Sequence, residues 1–355
     1  MKPVKRLATL TCGDEHRAEA TVLMRSFERS PHTFCAKPIN VKGALFFFAV
    51  IAVSLLFLPV FGLAQQAPVS EATTVRRLEL FVTDNKGKSV RDLQPSDVHI
   101  KEHGSPATVD SLELIEKPVH YGLLIDVSNS LRTQFPLILE SARRVISNNT
   151  KDDETFIIRF TDKVEMIQSS TSNKLALFHA IDQLRPAPGQ TALLDALYMG
   201  AAELQKIREP KRRKALVIIT DGENRLSSIK ESELFDLLAE TDFPVFIIGL
   251  TEELDRTGGL IRQSLHYRSV MFLEKLARET GGRLVFLERN IEPQVYDQIA
   301  DDLRRRYVLK YRSPRAMAKT RHKVEIKVTE TKDKKKRKAI HRPWYTNQQL
   351  RDINN

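Results

Sequence analysis

The sequence predicts an α/β protein: a doubly wound, mainly parallel sheet with small β-sandwich-like segments on either side. Three observations carry this reading. Tyr121-Gly-Leu-Leu-Ile-Asp126 and Ala215-Leu-Val-Ile-Ile-Thr-Asp221 are short apolar runs with the length of fully buried strands, and each ends in an aspartate. From Tyr121 to Arg306, strand-like and helix-like stretches alternate, as in a parallel sheet covered on both faces. Outside that span the pattern falls back to short β-type alternation broken by turn residues.

In chain order, residues 1–42 are basic and irregular. Gly43 to Ala64 is almost wholly apolar, with Phe46-Phe47-Phe48 and Leu55-Leu56-Phe57-Leu58 inside it and Gly62-Leu63-Ala64 at its end. A basic region, an apolar core and small residues make up a Sec-type signal peptide, so cleavage is expected after Ala64. Export to the periplasm, cell envelope or exterior follows. The alternative is a retained membrane anchor at residues 43–64, since about 20 apolar residues also span a bilayer. Cys12 and Cys35 both precede the apolar core, so the processed chain is expected to hold no disulfide.

Residues 65–74 read as a linker and 75–118 as a β-rich module. Val75 to Thr83 alternates as a strand, Asp84-Asn85-Lys86-Gly87-Lys88 is a turn, and Val90, Leu93, Val98 and Ile100 continue the β pattern. Glu102-His103-Gly104-Ser105-Pro106 is a second turn, and Val109, Leu112 and Leu114 mark a further strand. The α/β domain is assigned to 119–306. Its helices are expected near Thr133–Ile146, Lys174–Leu184, Ala192–Ile207, Glu231–Glu240, Val270–Thr280 and Ile291–Arg306, with a polar surface loop from Thr251 to Ser269. Residues 307–346 return to β pattern, and 347–355 form a tail. Neither β-rich segment has enough apolar positions to bury a face alone, so the two are expected to pair, with the α/β domain inserted between them.

The 355 residues are 41% hydrophobic and 28% charged, ordinary for a globular chain, and the formal charge is +11. Part of that charge lies in Lys332-Asp-Lys-Lys-Lys-Arg-Lys338, read as a solvated hairpin tip. Export argues against a nucleic-acid partner. Trp344 and Tyr345 read as strand-packing residues.

Asp126 falls at the carboxyl end of its strand, where ligands bind in open α/β sheets. Ser128 and Ser130 follow at alternate positions, Thr191 opens a helical stretch, and Asp221 ends the second buried run. All five offer oxygen, which suits a hard divalent cation and suits zinc or copper poorly. In order and spacing Asp126, Ser128, Ser130, Thr191 and Asp221 resemble the metal-ion-dependent adhesion site of von Willebrand factor A domains. From about Val75 to Tyr345 the chain also resembles the bacterial VWFA-related Acidobacterial domain family. That likeness rests on Val82-Thr83-Asp84-x-x-Gly87, Asp97-Val98-x-Ile100-x-Glu102-x-Gly104, Leu276-Ala277-x-x-Thr280-Gly281-Gly282, Leu303-Arg304-x-x-Tyr307-x-Leu309-x-Tyr311 and Arg342-Pro343-x-Tyr345.

The resemblance implies an exported von Willebrand-type domain of Rossmann-like topology. It implies a cation held by the five residues, Mg²⁺ first, with Mn²⁺ or Ca²⁺ compatible with the donors. It also implies an open coordination position filled by an aspartate or glutamate of a partner protein. Asn129, Glu223 and Asn224 are candidates for the rim, and Asp195 is expected to cap or orient Thr191. No nucleophile elbow, dinucleotide or phosphate-binding loop, or His-Glu-x-x-His helix occurs, so a binding module is expected rather than an enzyme. A cell-envelope scaffold that recruits a partner enzyme and, further off, a metal-dependent hydrolase are the alternatives.

Overall fold

Strands that carry no polar face are forced to the middle. β4 (Val119–Asp126) and β8 (Val245–Leu250) are buried at every residue, and β7 (Arg213–Thr220) at all but Lys214. The computed structural model describes residues 74–250, 265–287, 294–313, 320–330 and 336–350. The apolar segment at 43–64, most of the expected loop at 251–269 and Lys332 to Lys335 lie outside the described residues.

The three strands occupy the centre of a six-stranded sheet ordered β6-β5-β4-β7-β8-β9, with β5 at Glu154–Phe160, β6 at Val164–Thr171 and β9 at Leu284–Leu287. All pairings are parallel except β5–β6, the hairpin at one edge. Side chains alternate between two layers. Leu123 and Ile125 face α1 (Phe135–Ser147), α2 (Lys174–Asp182) and α6 (Gln294–Arg304). Leu124 faces α3 (Leu193–Lys206), α4 (Glu231–Glu240) and α5 (Leu265–Thr280). The chain thus has the doubly wound architecture expected of it, with both sheet faces covered.

Local chemistry sets the helix ends. Asn173 caps α2 through Oδ1, which accepts the N–H groups of Leu175 at 3.0 Å and Ala176 at 3.3 Å. Asn173→Ala is expected to lower the unfolding free energy by about 1 kcal/mol, read by urea denaturation. Asn173→Asp should keep most of it, and equal losses in both variants would rule out the capping role. α5 ends in a Schellman motif: Gly281 N–H donates to Arg278 O, Gly282 N–H to Ala277 O, and Gly281 takes φ 68°. Gly282 is further fixed because a Cβ there would overlap the Val245 carbonyl. α5 begins at Leu265, earlier than the expected Val270. The polar run before Val270 hid a helical stripe, in which Ser269, Leu273, Leu276, Ala277 and Thr280 are all buried.

The β-rich ends meet in a second sheet. Its seven strands run β12-β1-β10-β3-β2-β11-β13, with β1 at Val75–Asp84, β2 at Val98–Glu102, β3 at Ser105–Glu116, β10 at Arg305–Arg312, β11 at Arg321–Val328, β12 at Arg337–Ile340 and β13 at Trp344–Thr346. β10 lies antiparallel between β1 and β3, so the α/β unit is spliced between β3 and β10. β2 and β3 join through a two-residue turn, His103-Gly104, with φ 49° and 81°. The expected sandwich-like segments are therefore one sheet. It curls until β11 lies near β12, burying Leu78, Leu80, Ile100, Leu309, Tyr311 and Val324 on its inner face. Inside it, Arg76 Nη1 sits 3.0 Å from Glu102 Oε1, and His322 Nδ1 lies 2.7 Å from the same oxygen.

On the other face of β1, Phe81 meets Phe246 edge-on at 5.5 Å between ring centroids, joining the two sheets. The expected tail is packed as well: Leu350 is buried, and its carbonyl accepts the Arg77 N–H at 3.2 Å. Tyr345 is buried, whereas Trp344 is 40% exposed beneath the Arg321 guanidinium.

Candidate functional site

Register brings the two aspartates together. β4 and β7 are parallel neighbours with Ile125 opposite Ile219, so Asp126 stands level with Thr220 and Asp221 follows one residue beyond, both at the carboxyl edge of the sheet. Ser128 leads into a 3-10 turn at Asn129–Gln134. A parallel bridge joins Ser128 to Ala187, and the Thr191 carbonyl accepts the N–H groups of Arg225 at 2.9 Å and Leu226 at 3.2 Å. Three loops thereby converge: 126–130, 187–192 and 220–226.

The side chains form a linked set of oxygens. Asp126 is fully buried; its Oδ1 accepts the Ser128 N–H at 3.0 Å and its Oδ2 the Thr220 hydroxyl at 2.7 Å. The Ser128 and Ser130 hydroxyls lie 3.1 Å apart, and Ser130 Oγ donates to Asp221 Oδ2 at 3.0 Å. Asp221 Oδ1 accepts the Glu223 N–H at 2.9 Å. Thr191 is buried at the mouth of α3; its carbonyl holds the loop after β7 through Arg225 and Leu226, and its hydroxyl makes no hydrogen bond to the other four residues. Burial, and then the Asp221 charge, push the Asp126 carboxyl up to about 7, against the hydrogen bonds from Ser128 and Thr220. A pair of like charges in a desolvated oxygen-lined corner fits a hard divalent cation, which would relieve the repulsion.

Around this corner, Asn129 is exposed. Glu223 pairs with Arg225 at 2.6 Å, and Asn224 Oδ1 accepts the Ser227 hydroxyl at 2.5 Å. Leu226 is 51% exposed beside them. Asp195 does not orient Thr191. Its carboxylate accepts the Ser228 and Ile229 N–H groups at 2.8 and 3.1 Å and pins the loop after β7. The one-turn spacing misled because Thr191 lies outside α3, which starts at Leu193, so the two residues share no helical face. Sequence reasoning also passed over Thr220, the hydroxyl that holds Asp126. Its signal was a polar residue at the end of an otherwise apolar run.

An open parallel sheet with an oxygen cluster at its carboxyl edge defines a class of α/β ligand-binding domain. Within that class, residues 122–223 match the family model of the von Willebrand factor type A domain. No curated protein matches the chain. Similar solved structures include the conserved hypothetical protein BatB from Bacteroides thetaiotaomicron, at 18% identity, covering 52% of this chain and 97% of that one, with a TM-score of 0.42. A von Willebrand factor type A protein from Catenulispora acidiphila is 11% identical over 78% of this chain and 75% of its own, with a TM-score of 0.41. The von Willebrand domain of the type V pili tip protein Mfa5 from Porphyromonas gingivalis is 11% identical, covering 53% and 96%, at 0.41. The fold assignment rests on the sheet order and the family match.

Proposed function

We propose that the chain is an exported, metal-dependent protein-binding module of the adhesion type. Asp126, Ser128, Ser130, Thr191 and Asp221 would hold a divalent cation, Mg²⁺ first and Mn²⁺ or Ca²⁺ by donor type. When bound, the cation supplies a Lewis-acidic anchor for a single aspartate or glutamate of a partner protein. The observation that carries this reading is the hydrogen-bonded chain from the buried Asp126 through the Ser128 N–H and the Ser128 and Ser130 hydroxyls to Asp221, with contacts near 3 Å. Thr220 holds Asp126 from below. Asn129, Glu223 and Asn224, with Leu226, would read the residues flanking the partner's carboxylate. The apolar segment at 43–64 supports placement outside the cytoplasm; among the described residues, no helix is long and apolar enough to cross a membrane.

The test is capture from envelope extract by the immobilised protein. Wild type is expected to retain a partner that EDTA releases, Mg²⁺ restores, and Asp126→Ala fails to hold. Capture that is indifferent to both EDTA and Asp126→Ala would exclude a metal-anchored contact and favour the scaffold reading.

A further inference from the structure

At the opposite end of the central sheet, a cavity of about 560 Å³ opens between the curled sheet and the starts of β4, β7 and β8. Its size falls in the range of small-molecule pockets. Eight arginine and lysine side chains line it against three carboxylates. Most of these cations are already engaged. Arg213 donates to Glu79 at 3.0 Å and to the Arg304 carbonyl at 2.7 Å, and Arg342 donates to the carbonyls of Leu238 and Phe243.

Arg306 is different. It is 4% exposed, with its guanidinium 5.2 Å from the Phe81 ring centroid. Among the described residues its one ionic contact is a long one, Nη1 to Glu79 Oε2 at 3.4 Å. Its Nε and Nη2 have no hydrogen-bond partner among the described residues. Glu79 cannot satisfy it, because the same carboxylate also accepts from Arg77 at 3.1 Å and from Arg213. One negative charge thus serves three guanidiniums. Burial works to raise the Glu79 carboxyl, and Arg306, Arg213 and Arg77 outweigh it, holding the group below the usual range. Burial also pulls Arg306 down to about 10, against the Glu79, Asp242 and Asp302 carboxylates.

We propose that this cavity binds a small oxyanion-bearing ligand, a phosphate ester or a polycarboxylate, with its oxyanion groups on the rim at Arg77 and Arg208 and the buried Arg306 charge drawing them in from beneath. Arg306 Nε and Nη2 are closed to a water-sized probe, so Arg306 acts through its charge, which is screened little at that depth, while the rim guanidiniums make the contacts. The site stands apart from the metal corner, which lies at the other edge of the sheet.

The test is calorimetric titration of the full chain with pyrophosphate and, separately, citrate. The protein is first stripped of divalent cations and dialysed free of chelator, so that chelation at the carboxyl edge does not contribute, and ionic strength is matched with sodium chloride. Saturable binding of at least one probe is expected, weakened at least tenfold in Arg306→Gln. Binding of pyrophosphate alone identifies a phosphate ligand, and binding of citrate alone a polycarboxylate. Should Arg306→Gln fail to fold, the rim variant Arg77→Gln/Arg208→Gln decides, with at least a threefold weakening expected. No saturable binding of either probe to wild type, or affinity unchanged in the folded variants, overturns the proposal.

Discussion

Millimolar Mg²⁺ added to the metal-free protein is expected to raise its melting temperature by about 5–10 °C, and Asp126→Ala to abolish the rise. Binding to the native state alone contributes RT ln(1 + [L]/Kd), about 2.7 kcal/mol at a hundredfold excess over Kd. For a chain of this size 1 kcal/mol moves the midpoint by roughly 2–4 °C. Asp126 is the buried charge of the oxygen set, so removing it takes away the ligand and the repulsion together. It also strands the Thr220 hydroxyl and the Ser128 N–H, each a buried donor that costs about 1–3 kcal/mol unpaired. The metal-free baseline therefore reflects opposing effects, and the response to metal is the discriminating readout. Ser128→Ala and Ser130→Ala should shrink the response without abolishing it, since each removes a neutral donor and leaves both carboxylates. Calorimetry that detects no binding of Mg²⁺, Mn²⁺ or Ca²⁺ to the wild type would refute the metal reading.

The central sheet was legible because burial writes itself into sequence as an uninterrupted apolar run. β4 and β7 announce both their strands and the aspartates that end them. The second sheet was legible only in part. Short alternation located its strands, but nothing local says that Leu78 stands opposite Leu309 or that Phe81 stands opposite Ile340. A single curled sheet and a two-layer sandwich show the same alternation along each strand. The contiguous half of the candidate site, Asp126 to Ser130, was equally plain. Thr220 and Asp195 were not, because their bonds run to residues far off in the chain or around a loop. Charges were the least legible. Glu79, Asp302 and Arg306 look like solvated residues in sequence, and Arg306 read as the last residue of a helix. It lies instead in β10, buried over Phe81.

Asp302→Ala is expected to destabilise the protein by about 3–5 kcal/mol, the range for stripping one partner from a buried ion pair. Asp302 is fully buried on α6 and binds three donors: the Arg283 guanidinium, Arg91 Nη2 at 2.8 Å and Ser89 Oγ at 2.6 Å. Arg283, only 9% exposed, also donates to the Gly87 carbonyl at 2.7 Å. One carboxylate therefore ties the turn after β1 to the last helix of the α/β unit and to the approach to β9. Without it, the Arg283 charge stays buried with no ion-paired carboxylate among the described residues. Arg91→Ala should cost much less, about 1 kcal/mol or below, because its side chain is 22% exposed and water can replace the lost contact. Asp302→Leu combined with Arg283→Met should recover most of the loss, since an apolar pair of similar volume often matches a buried ion pair. Urea unfolding gives the energies, and trypsin cleavage at Lys86 and Lys88 should accelerate in Asp302→Ala if the turn is released. A loss below about 1 kcal/mol, far short of that range, would mean that Asp302 does not hold the inserted domain to the sheet that flanks it.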